Sequence, residues 1–475
     1  MTEDALEHLS REEMLDLLRK LLRENASLKE ELGRLRQENK KLRELVEEVH
    51  RQGKRQAAPF SKGPPKPDPQ KCGRKPDAEY GMKTYRAPPA QIDEVYEAPL
   101  PGRCPECNGQ IDFVQVRPQF QVEVPRKPIH RQFNVAVGHC RSCHKRIQGR
   151  HPLQTSDALG AAASQIGPEA QALAVLLNKD MGLSHGKISR LFRGAFAISL
   201  SRGGSAQVML RAAERSSEAY LSILVMVHKS PVVYPDETGW KVAGLLHWLW
   251  TFVTANATAF VIRASRGFDV AEDVLGADYA GTLGHDGWLP YDQFAAARHQ
   301  QCLGHLFRRC SHMLEVATRG AVRFPRQVKT LLKSALALRD RRDEGEISQH
   351  GLAVAVGRMQ SRLDGLLAST RSNAVNERLA KHLRNHRDQI LTFLRKPGVE
   401  ATNWPAEQSI RPAVVNRKVW GGSRTDRGAL AQATLMSVLR TCVQQGRDGL
   451  DFLTRTLRAS SSRNLPQLFP INALG

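Results

Sequence analysis

The first regular pattern in the chain is a seven-residue repeat of apolar positions. The repeat consists of Leu21, Leu28, Leu35, Leu42 and Val49. Most of the remaining positions are Glu, Lys or Arg, and asparagines occur in the companion row three positions earlier, which is typical of a parallel two-stranded coiled coil. Residues 1–50 are therefore predicted to form a long helix that pairs two copies of the chain. A long helix that packs on its own globular body is the alternative.

The apolar pattern is lost in residues 51–99, whose first half is rich in basic residues and proline. Such a composition does not bury a core, so an extended linker is predicted. This linker either lies along phosphates as a basic arm or is simply solvated.

Helical spacing returns in residues 160–228 as a series of short apolar stretches. Ser184 and Ser201 stand at the starts of two stretches and are candidates for N-caps. Short helices separated by glycine-containing turns are compatible with a helix-turn-helix segment that binds DNA. A plain helical spacer fits the pattern equally well.

Strand-like patterns begin at residue 229. Three apolar runs, one stretch of helical spacing, a fourth strand-like run and the helix-like run YDQFAAARHQQCLGHLFRRC follow in that order within residues 229–314. The order β-β-β-α-β-α suggests a ribonuclease-H-like core, in which the first and fourth strands are neighbours. Residues 315–400 are predicted as a helical insertion, residues 401–450 as the remainder of the core and residues 451–475 as a C-terminal tail. The fold class is thus multidomain α/β.

The charge balance narrows the class of partner. The 475 residues include 70 Lys and Arg against 48 Asp and Glu, a net charge of +22. A chain this basic most often binds a polyanion, so double-stranded DNA is the predicted partner; a basic surface without a specific partner is the alternative. No apolar run reaches about 18 residues and the acidic N-terminus is unlike a signal peptide. We therefore expect a cytoplasmic protein that does not contact membranes.

Paired cysteines distinguish residues 100–150. The two CxxC pairs are Cys104 with Cys107 and Cys140 with Cys143. In a reducing compartment such pairs bind metal more often than they form disulfides. Two CxxC turns supply the four sulfurs of a tetrahedral structural zinc site, so a zinc ribbon-like module is predicted. Four unrelated thiols are the alternative.

Three carboxylates occupy positions that suit a metal site. Asp236 ends the first strand-like run, Asp286 closes the fourth, and Glu407 opens a helix-like run in which Asn403 can cap and Pro405 suits the first turn. Because the first and fourth strands are expected to be neighbours, the two aspartates should converge. Three carboxylates can hold two Mg²⁺ (or Mn²⁺) ions about 3.5–4 Å apart for in-line phosphoryl transfer. We therefore predict these three acids as catalytic residues and magnesium ligands.

Basic residues follow the third acid on the same helix. Arg411, Arg417 and Lys418 are predicted to contact DNA phosphates. Glu237 and Asp292 are local competitors for the ligand roles and rank lower. Each of the three leading acids also has a structural alternative: capping a strand end, initiating a turn, or favouring a helix N-terminus electrostatically.

Two further pairs of side chains are ambiguous. Cys302 and His305 stand at i and i+3 on a predicted helix and face one side, but two ligands are an incomplete metal site, so packing is favoured. Trp240 and Trp288 follow the two aspartates and could stack on an unpaired base. Core packing is the favoured interpretation for both tryptophans.

Three motifs now resemble a known family. DETGW at 236–240, HDGW at 285–288 with QCLGHLFRR behind it, and TNWPAEQSIRPAVVNRKVWGGSRTDRGA at 402–429 resemble the DDE transposases of the insertion-sequence sixty-six type. The resemblance covers nearly the whole chain. It implies metal-dependent DNA cleavage and strand transfer at the element ends, with Asp236, Asp286 and Glu407 as first, second and third acid. It also makes accessory proteins encoded by the same element candidate partners. Trp404 and Gln408 stand where that family is expected to have Asn and Arg.

The leading function from sequence is therefore a DNA transposase that uses Mg²⁺ or Mn²⁺ and carries structural zinc. The alternative is a catalytically silent, zinc-containing coiled-coil DNA-binding protein, either a regulator or a domesticated transposase. A resolvase or an RNA-directed nuclease built on the same fold is a third possibility that differs in its substrate.

Overall fold

The computed structural model describes residues 11–53, 87–122, 124, 128–160, 165–316 and 319–470. Most of the predicted basic linker lies outside these residues. Helix α1 runs from Arg11 to Gly53 without a break, which confirms the long N-terminal helix over the described positions. Leu28 and Leu35 of its apolar row are 64% and 55% exposed, so the described residues do not cover that row. No described helix has both the length and the hydropathy that a membrane crossing requires.

The cysteine-containing segment forms very little regular structure. Strands β1 (Val137–His139) and β2 (Arg146–Gln148) pair as an antiparallel hairpin around the second CxxC pair. Each of these strands is only three residues long. The remaining described residues of 87–160 are mostly exposed and contain no further strand.

Four helices precede the sheet, in the segment predicted to be helical. They are α2 (Pro168–Lys179), α3 (His185–Phe196), α4 (Arg202–Arg215) and α5 (Ser217–His228). The two predicted N-caps are confirmed, because the Ser184 side chain accepts a hydrogen bond from the Lys187 N–H and the Ser201 side chain accepts one from the Gly204 N–H.

A mixed five-stranded sheet forms the centre of the molecule. Its elements are β3 (Val232–Val242), β4 (Leu245–Val253), β5 (Thr258–Arg263), helix α6 (Phe268–Leu275), β6 (Thr282–His285) and β7 (Arg298–Gln301). The strand order is β5-β4-β3-β6-β7. Strand β4 pairs antiparallel with β5 and with β3, and β6 pairs parallel with β3 and with β7. The first and fourth strands of the predicted core are therefore adjacent, as predicted.

Helices cover both faces of the sheet. Alternate residues of its strands therefore pack in different apolar cores. Trp250 and Phe252 of β4 pack with α4 and α5 in one core, whereas Leu249 packs in another. This separation follows from the two-residue period of a strand.

The fifth strand corrects the helix predicted over YDQFAAARHQQC. A 3₁₀ turn at Leu289–Gln293 and then β7 occupy that stretch, and the helix begins only at Leu303. The sequence did not indicate this strand because glutamine is usually a surface residue, whereas Gln300 and Gln301 are buried. The Gln300 side chain accepts from the Phe393 N–H at 2.8 Å and donates to the Ile390 carbonyl at 3.1 Å.

The segment between β7 and the last part of the core is helical, as predicted. It contains α7 (Leu303–Val316), α8 (Arg323–Asp343), α9 (Gln349–Leu367), α10 (Ala374–Asn385) and α11 (Thr392–Arg395). These helices have an apolar core of their own, with Leu331 and Leu379 among its buried members. The two ends of the segment meet, since the Leu303 N–H donates to the Ala401 carbonyl at 2.9 Å.

Three helices complete the fold: α12 (Trp404–Trp420), α13 (Asp426–Gln444) and α14 (Gly449–Arg458). Helix α14 packs on α2 and buries Phe452 and Leu453, so the first part of the segment predicted as a C-terminal tail packs against the rest of the protein. Helices α2, α4, α5, α13 and α14 share the core on one face of the sheet. The segment predicted as a separate helix-turn-helix unit is therefore part of the central body.

Candidate active site

Strand β3 carries the first predicted acid. Asp236 is paired in register with Thr251 of β4, and β3 continues to Val242, so the prediction that Asp236 ends its strand is wrong. Strand β3 pairs with β6 at Val232 and Val233, so Asp236 lies beyond the point where the two strands separate. The Asp236 Oδ1 accepts a hydrogen bond from the Glu237 N–H at 2.9 Å.

The proline before this acid does not disturb the ladder with β4. The Pro235 carbonyl accepts from the Asn403 side-chain amide at 2.8 Å, so it points towards α12. Because the N–H and C=O of one strand residue point to the same side, the missing N–H of Pro235 removes no bond to β4.

The second predicted acid lies directly after β6. Asp286 follows His285, the last residue of the strand, and is exposed. The next residue, Gly287, has a φ of +92°, which turns the chain away from the sheet edge. The Asp286 Oδ1 accepts a hydrogen bond from the Trp288 N–H at 3.0 Å. Asp236 and Asp286 therefore lie on neighbouring parallel strands.

Helix α12 brings the third predicted acid to this edge. Glu407 stands in its first turn, where Pro405 also lies as predicted. Asn403 occupies the N-cap position, but its side chain bonds to Pro235 instead of capping the helix, which corrects that prediction. Arg417 binds the other end of α12 to β3 through the Thr238 hydroxyl at 3.2 Å and the Gly239 carbonyl.

The three acids share one electrostatic neighbourhood. Burial raises the pKa of the Asp236 carboxyl to about 7, and the neighbouring Glu237 carboxylate acts in the same direction. The charges of Asp286 and Glu407 raise this pKa further. Asp286 and Glu407 therefore lie close enough to Asp236 for their charges to act on its pKa.

Among the described residues, few cationic side chains pair with these three acids. The Arg308 Nη2 lies 3.1 Å from the Glu407 Oε1, whereas the hydrogen bonds described for Asp236 and Asp286 come from backbone N–H groups. Hard carboxylate oxygens that repel one another and lack a full set of cationic partners fit a divalent cation such as Mg²⁺. The donor set therefore suits the metal predicted from the sequence.

The two competing acids have structural partners. The Glu237 carboxylate accepts bonds from Arg266 at 2.8 Å and from the Tyr291 hydroxyl at 2.9 Å, and its side chain is only 4% exposed. Asp292 lies 3.7 Å from the His386 Nδ1, beside His285 and His299. Glu237 is thus held by a cation and a phenol, which leaves it less suited to a metal than its neighbours.

The three predicted DNA contacts differ in their exposure. Arg417 is half-buried and bonded to β3, whereas Arg411 and Lys418 are exposed on α12. The sequence did not single out Arg308, which is 61% exposed and pairs with Glu407. No local signal connects these two residues, because they lie on helices far apart in the chain.

Trp240 and Trp288 both pack against other side chains, in agreement with the favoured interpretation. Trp240 is fully buried and its indole N–H donates to the Ser423 hydroxyl at 3.2 Å. Trp288 is half-buried with the Arg266 guanidinium 4.7 Å from its ring centre. The exposed ring near the acids is instead Trp404, three residues before Glu407, with 60% of its surface exposed.

The four predicted zinc ligands form two separate turns. In each CxxC turn the N–H of the residue after the second cysteine donates to the carbonyl of the first, at 2.9 Å for both Cys104 and Cys140. The pKa of the Cys104 thiol is lowered, chiefly by a hydrogen bond from the backbone N–H of Cys107. The backbone N–H of Cys143 lowers the pKa of the Cys140 thiol in the same way. Among the described residues, none of these four cysteines belongs to a group of three or more potential metal ligands within 4.8 Å of one another. The structure therefore does not bring the four sulfurs together.

Comparison with known proteins identifies the family. A family model described as the transposase IS66 family matches residues 163–431. The uncharacterized protein y4qI of Sinorhizobium fredii is 23% identical over 234 residues, which is 44% of this chain and 43% of that protein. The match thus spans less than half of that relative. The family match covers more than half of the chain, including the sheet and all three acids, and the chain belongs to the transposase IS66 family.

Proposed function

We propose that this protein is a DNA transposase that binds the ends of its insertion sequence and catalyses metal-dependent cleavage and strand transfer. Asp236, Asp286 and Glu407 are the proposed catalytic acids and metal ligands. The proposal is supported by the adjacency of β3 and β6, which carry Asp236 and precede Asp286, and by the charges of Asp286 and Glu407, which raise the pKa of the buried Asp236. Family membership and the net charge of +22 favour DNA as the substrate.

The strand order supports a ribonuclease-H-like core for this enzyme. Three antiparallel strands followed by two parallel ones, in the order β5-β4-β3-β6-β7, place the first and fourth strands side by side. The third acid then comes from a helix that follows a long helical insertion. We assign a DDE arrangement to the chain on this basis.

In this mechanism the residues of the chain supply carboxylate oxygens and fix their positions. Divalent cations, when bound, would activate the attacking oxygen and stabilise the leaving oxygen of the phosphodiester. Asp236 and Asp286 supply oxygens fixed by two neighbouring strands. Glu407 supplies a third, and its position depends on the bonds of Asn403 and Arg417 to β3. Arg417 is therefore a positioning residue, whereas the exposed Arg411 and Lys418 remain the proposed phosphate contacts.

Two further parts of the proposal concern assembly. The exposed row with Leu28, Leu35 and Leu42 supports a homodimer through a parallel coiled coil. The two CxxC turns support structural zinc, because their backbone N–H groups favour thiolates. Zinc would then draw the two separate turns onto one ion.

The test is cleavage and joining of labelled element-end DNA by the purified full chain in Mg²⁺. Asp236→Ala, Asp286→Ala and Glu407→Ala should each abolish formation of 3′-hydroxyl ends and of joined products without loss of DNA binding. Asp273→Asn, which removes an exposed acid from α6, is the matched control and should leave activity unchanged. If the intact chain binds the ends but never cuts them, even with the proteins encoded beside it, the catalytically silent DNA-binding alternative replaces the transposase.

A further inference from the structure

Cys302 stands immediately before α7, and its sulfur faces backbone donors. The side chain is buried, and the Sγ accepts a hydrogen bond from the Asn403 N–H at 3.1 Å. Burial raises the pKa of this thiol, while the N–H groups of Asn403, His305 and Gly304 act in the opposite direction. The pKa of this thiol is raised overall, so a metal ion bound here must displace the thiol proton.

His305 follows one turn later and directs a nitrogen into the same space. Its Nδ1 is shielded from solvent and has no hydrogen-bond partner among the described residues. The Glu407 Oε1 lies 3.9 Å from this Nδ1. One ligand atom from each of Cys302, His305 and Glu407 lies within 4.8 Å of the others, so α12 completes a ligand set that was incomplete on α7 alone.

Arg308 now occupies the outer side of this group. Its Nη2 lies 2.9 Å from the His305 Nε2 and 3.1 Å from the Glu407 Oε1. Arginine only donates, so the Nε2 accepts and the proton of a neutral imidazole is on Nδ1. Metal binding at Nδ1 requires that proton to move to Nε2, which displaces Arg308. This exposed side chain can leave at little energetic cost.

The three ligands differ chemically from the three acids. A thiolate, an imidazole and a carboxylate suit Zn²⁺ or Co²⁺, whereas Mg²⁺ requires hard oxygen ligands. Three protein ligands also leave one position of a tetrahedral ion open.

We propose that Cys302, His305 and Glu407 form a second divalent-metal site, selective for zinc-like ions, that shares Glu407 with the three-acid site. A metal held there takes Glu407 away from Asp236 and Asp286. The site itself does not depend on the proposed function. Its consequence does: under the transposase proposal, zinc inhibits the Mg²⁺-dependent reaction by occupying the shared acid.

The test of the site is Co²⁺ titration of the full chain in excess Mg²⁺, followed by thiolate-to-cobalt charge-transfer absorption. The CxxC cysteines contribute to the parent spectrum, so each comparison is also made with Cys104, Cys107, Cys140 and Cys143 replaced by Ser. Cys302→Ser should remove one equivalent of bound Co²⁺ and its absorption. Cys310→Ser, a buried cysteine on the same helix outside the ligand group, should change neither.

Two more variants separate metal binding from a packing role. His305→Gln should weaken Co²⁺ binding at least tenfold, and Arg308→Ala should tighten it several-fold because its competing donor is gone. Thermal melting identifies any variant that has lost its fold. Unchanged stoichiometry and absorption in folded Cys302→Ser overturn the site, and unchanged affinity in Arg308→Ala overturns the competition between Arg308 and the metal.

The consequence is measured as zinc inhibition of DNA cleavage relative to each variant's own activity in Mg²⁺. Inhibition should occur at lower zinc concentration in Arg308→Ala than in the parent, and residual activity of Cys302→Ser should resist zinc. Failure of the parent to cut DNA refutes the transposase but leaves the Co²⁺ result intact. Cutting that is insensitive to zinc in a chain that binds Co²⁺ refutes the inhibition alone.

Discussion

Replacing Asp236 by asparagine should stabilise the metal-free protein at neutral and alkaline pH while it abolishes cleavage. The folded-state pKa of about 7 lies above the ordinary value of 3.8, so the folded state holds a proton that the unfolded chain releases. This contribution to stability is fully present below about pH 4 and is lost as the pH rises towards 7. Asparagine stays neutral throughout and can still accept the hydrogen bond from the Glu237 N–H.

The structure sets the size of this effect. A rise in pKa from 3.8 to about 7, at 1.36 kcal/mol per unit, corresponds to at most about 4 kcal/mol. Asp236 is only partly buried, and solvent screening near the sheet edge reduces that figure to about 1–3 kcal/mol. Asp236→Asn should therefore match the parent at pH 4 and exceed its stability by this amount at pH 8.

Thermal melting in EDTA between pH 4 and pH 8 measures the difference, and Mg²⁺ is then added at pH 8. Mg²⁺ should raise the melting temperature of the parent and have little effect on the variant. Asp286→Asn is the control: it removes an exposed acid, so it should change stability by less than about 0.5 kcal/mol and still abolish cleavage. An advantage of Asp236→Asn that is equal at pH 4 and pH 8, or a loss of stability at pH 8, would refute the reasoning.

Other substitutions test the supports of the site and the assembly. Arg417→Ala should cost about 1–3 kcal/mol by removing the bonds between α12 and β3, seen as a lower melting temperature, whereas the exposed Arg411→Ala should not. Leu35→Lys should convert a dimer to a monomer in sedimentation analysis, because it places a charge in the exposed apolar row. Trp240→Ala should destabilise the fold by about 3–5 kcal/mol, while Trp404→Ala, at a 60% exposed position, should change the unfolding midpoint little.

The parts of the fold that local patterns describe were predictable. Apolar runs predicted β3, β4 and β5, and the serine hydroxyls at Ser184 and Ser201 marked helix starts that the structure confirms. These features depend on side chains close in sequence. Strand β7 was missed because Gln300 is buried, and its side chain is hydrogen-bonded to Ile390 and Phe393, about ninety residues later in the chain.

The candidate site also contains residues that the sequence predicted and residues that it did not. The acids Asp236, Asp286 and Glu407 were identified from strand ends and a helix start, although β3 continues well past Asp236. Arg308 and the completion of the Cys302 and His305 pair by Glu407 were not predictable. Both depend on side-chain contacts between α7 and the start of α12, and no periodicity in either helix encodes the distance between them.

The hydrogen bond between Leu303 and Ala401 has a consequence for protein synthesis. It shows that the chain leaves the sheet and returns to the same point before α12 is made. At about 5–20 residues per second, the roughly 120 residues between Asp286 and Glu407 take on the order of ten seconds to translate. During that time the nascent chain contains the first two acids but not the helix that carries the third. The ribosome therefore delays the assembly of the three acids until the helical insertion has emerged.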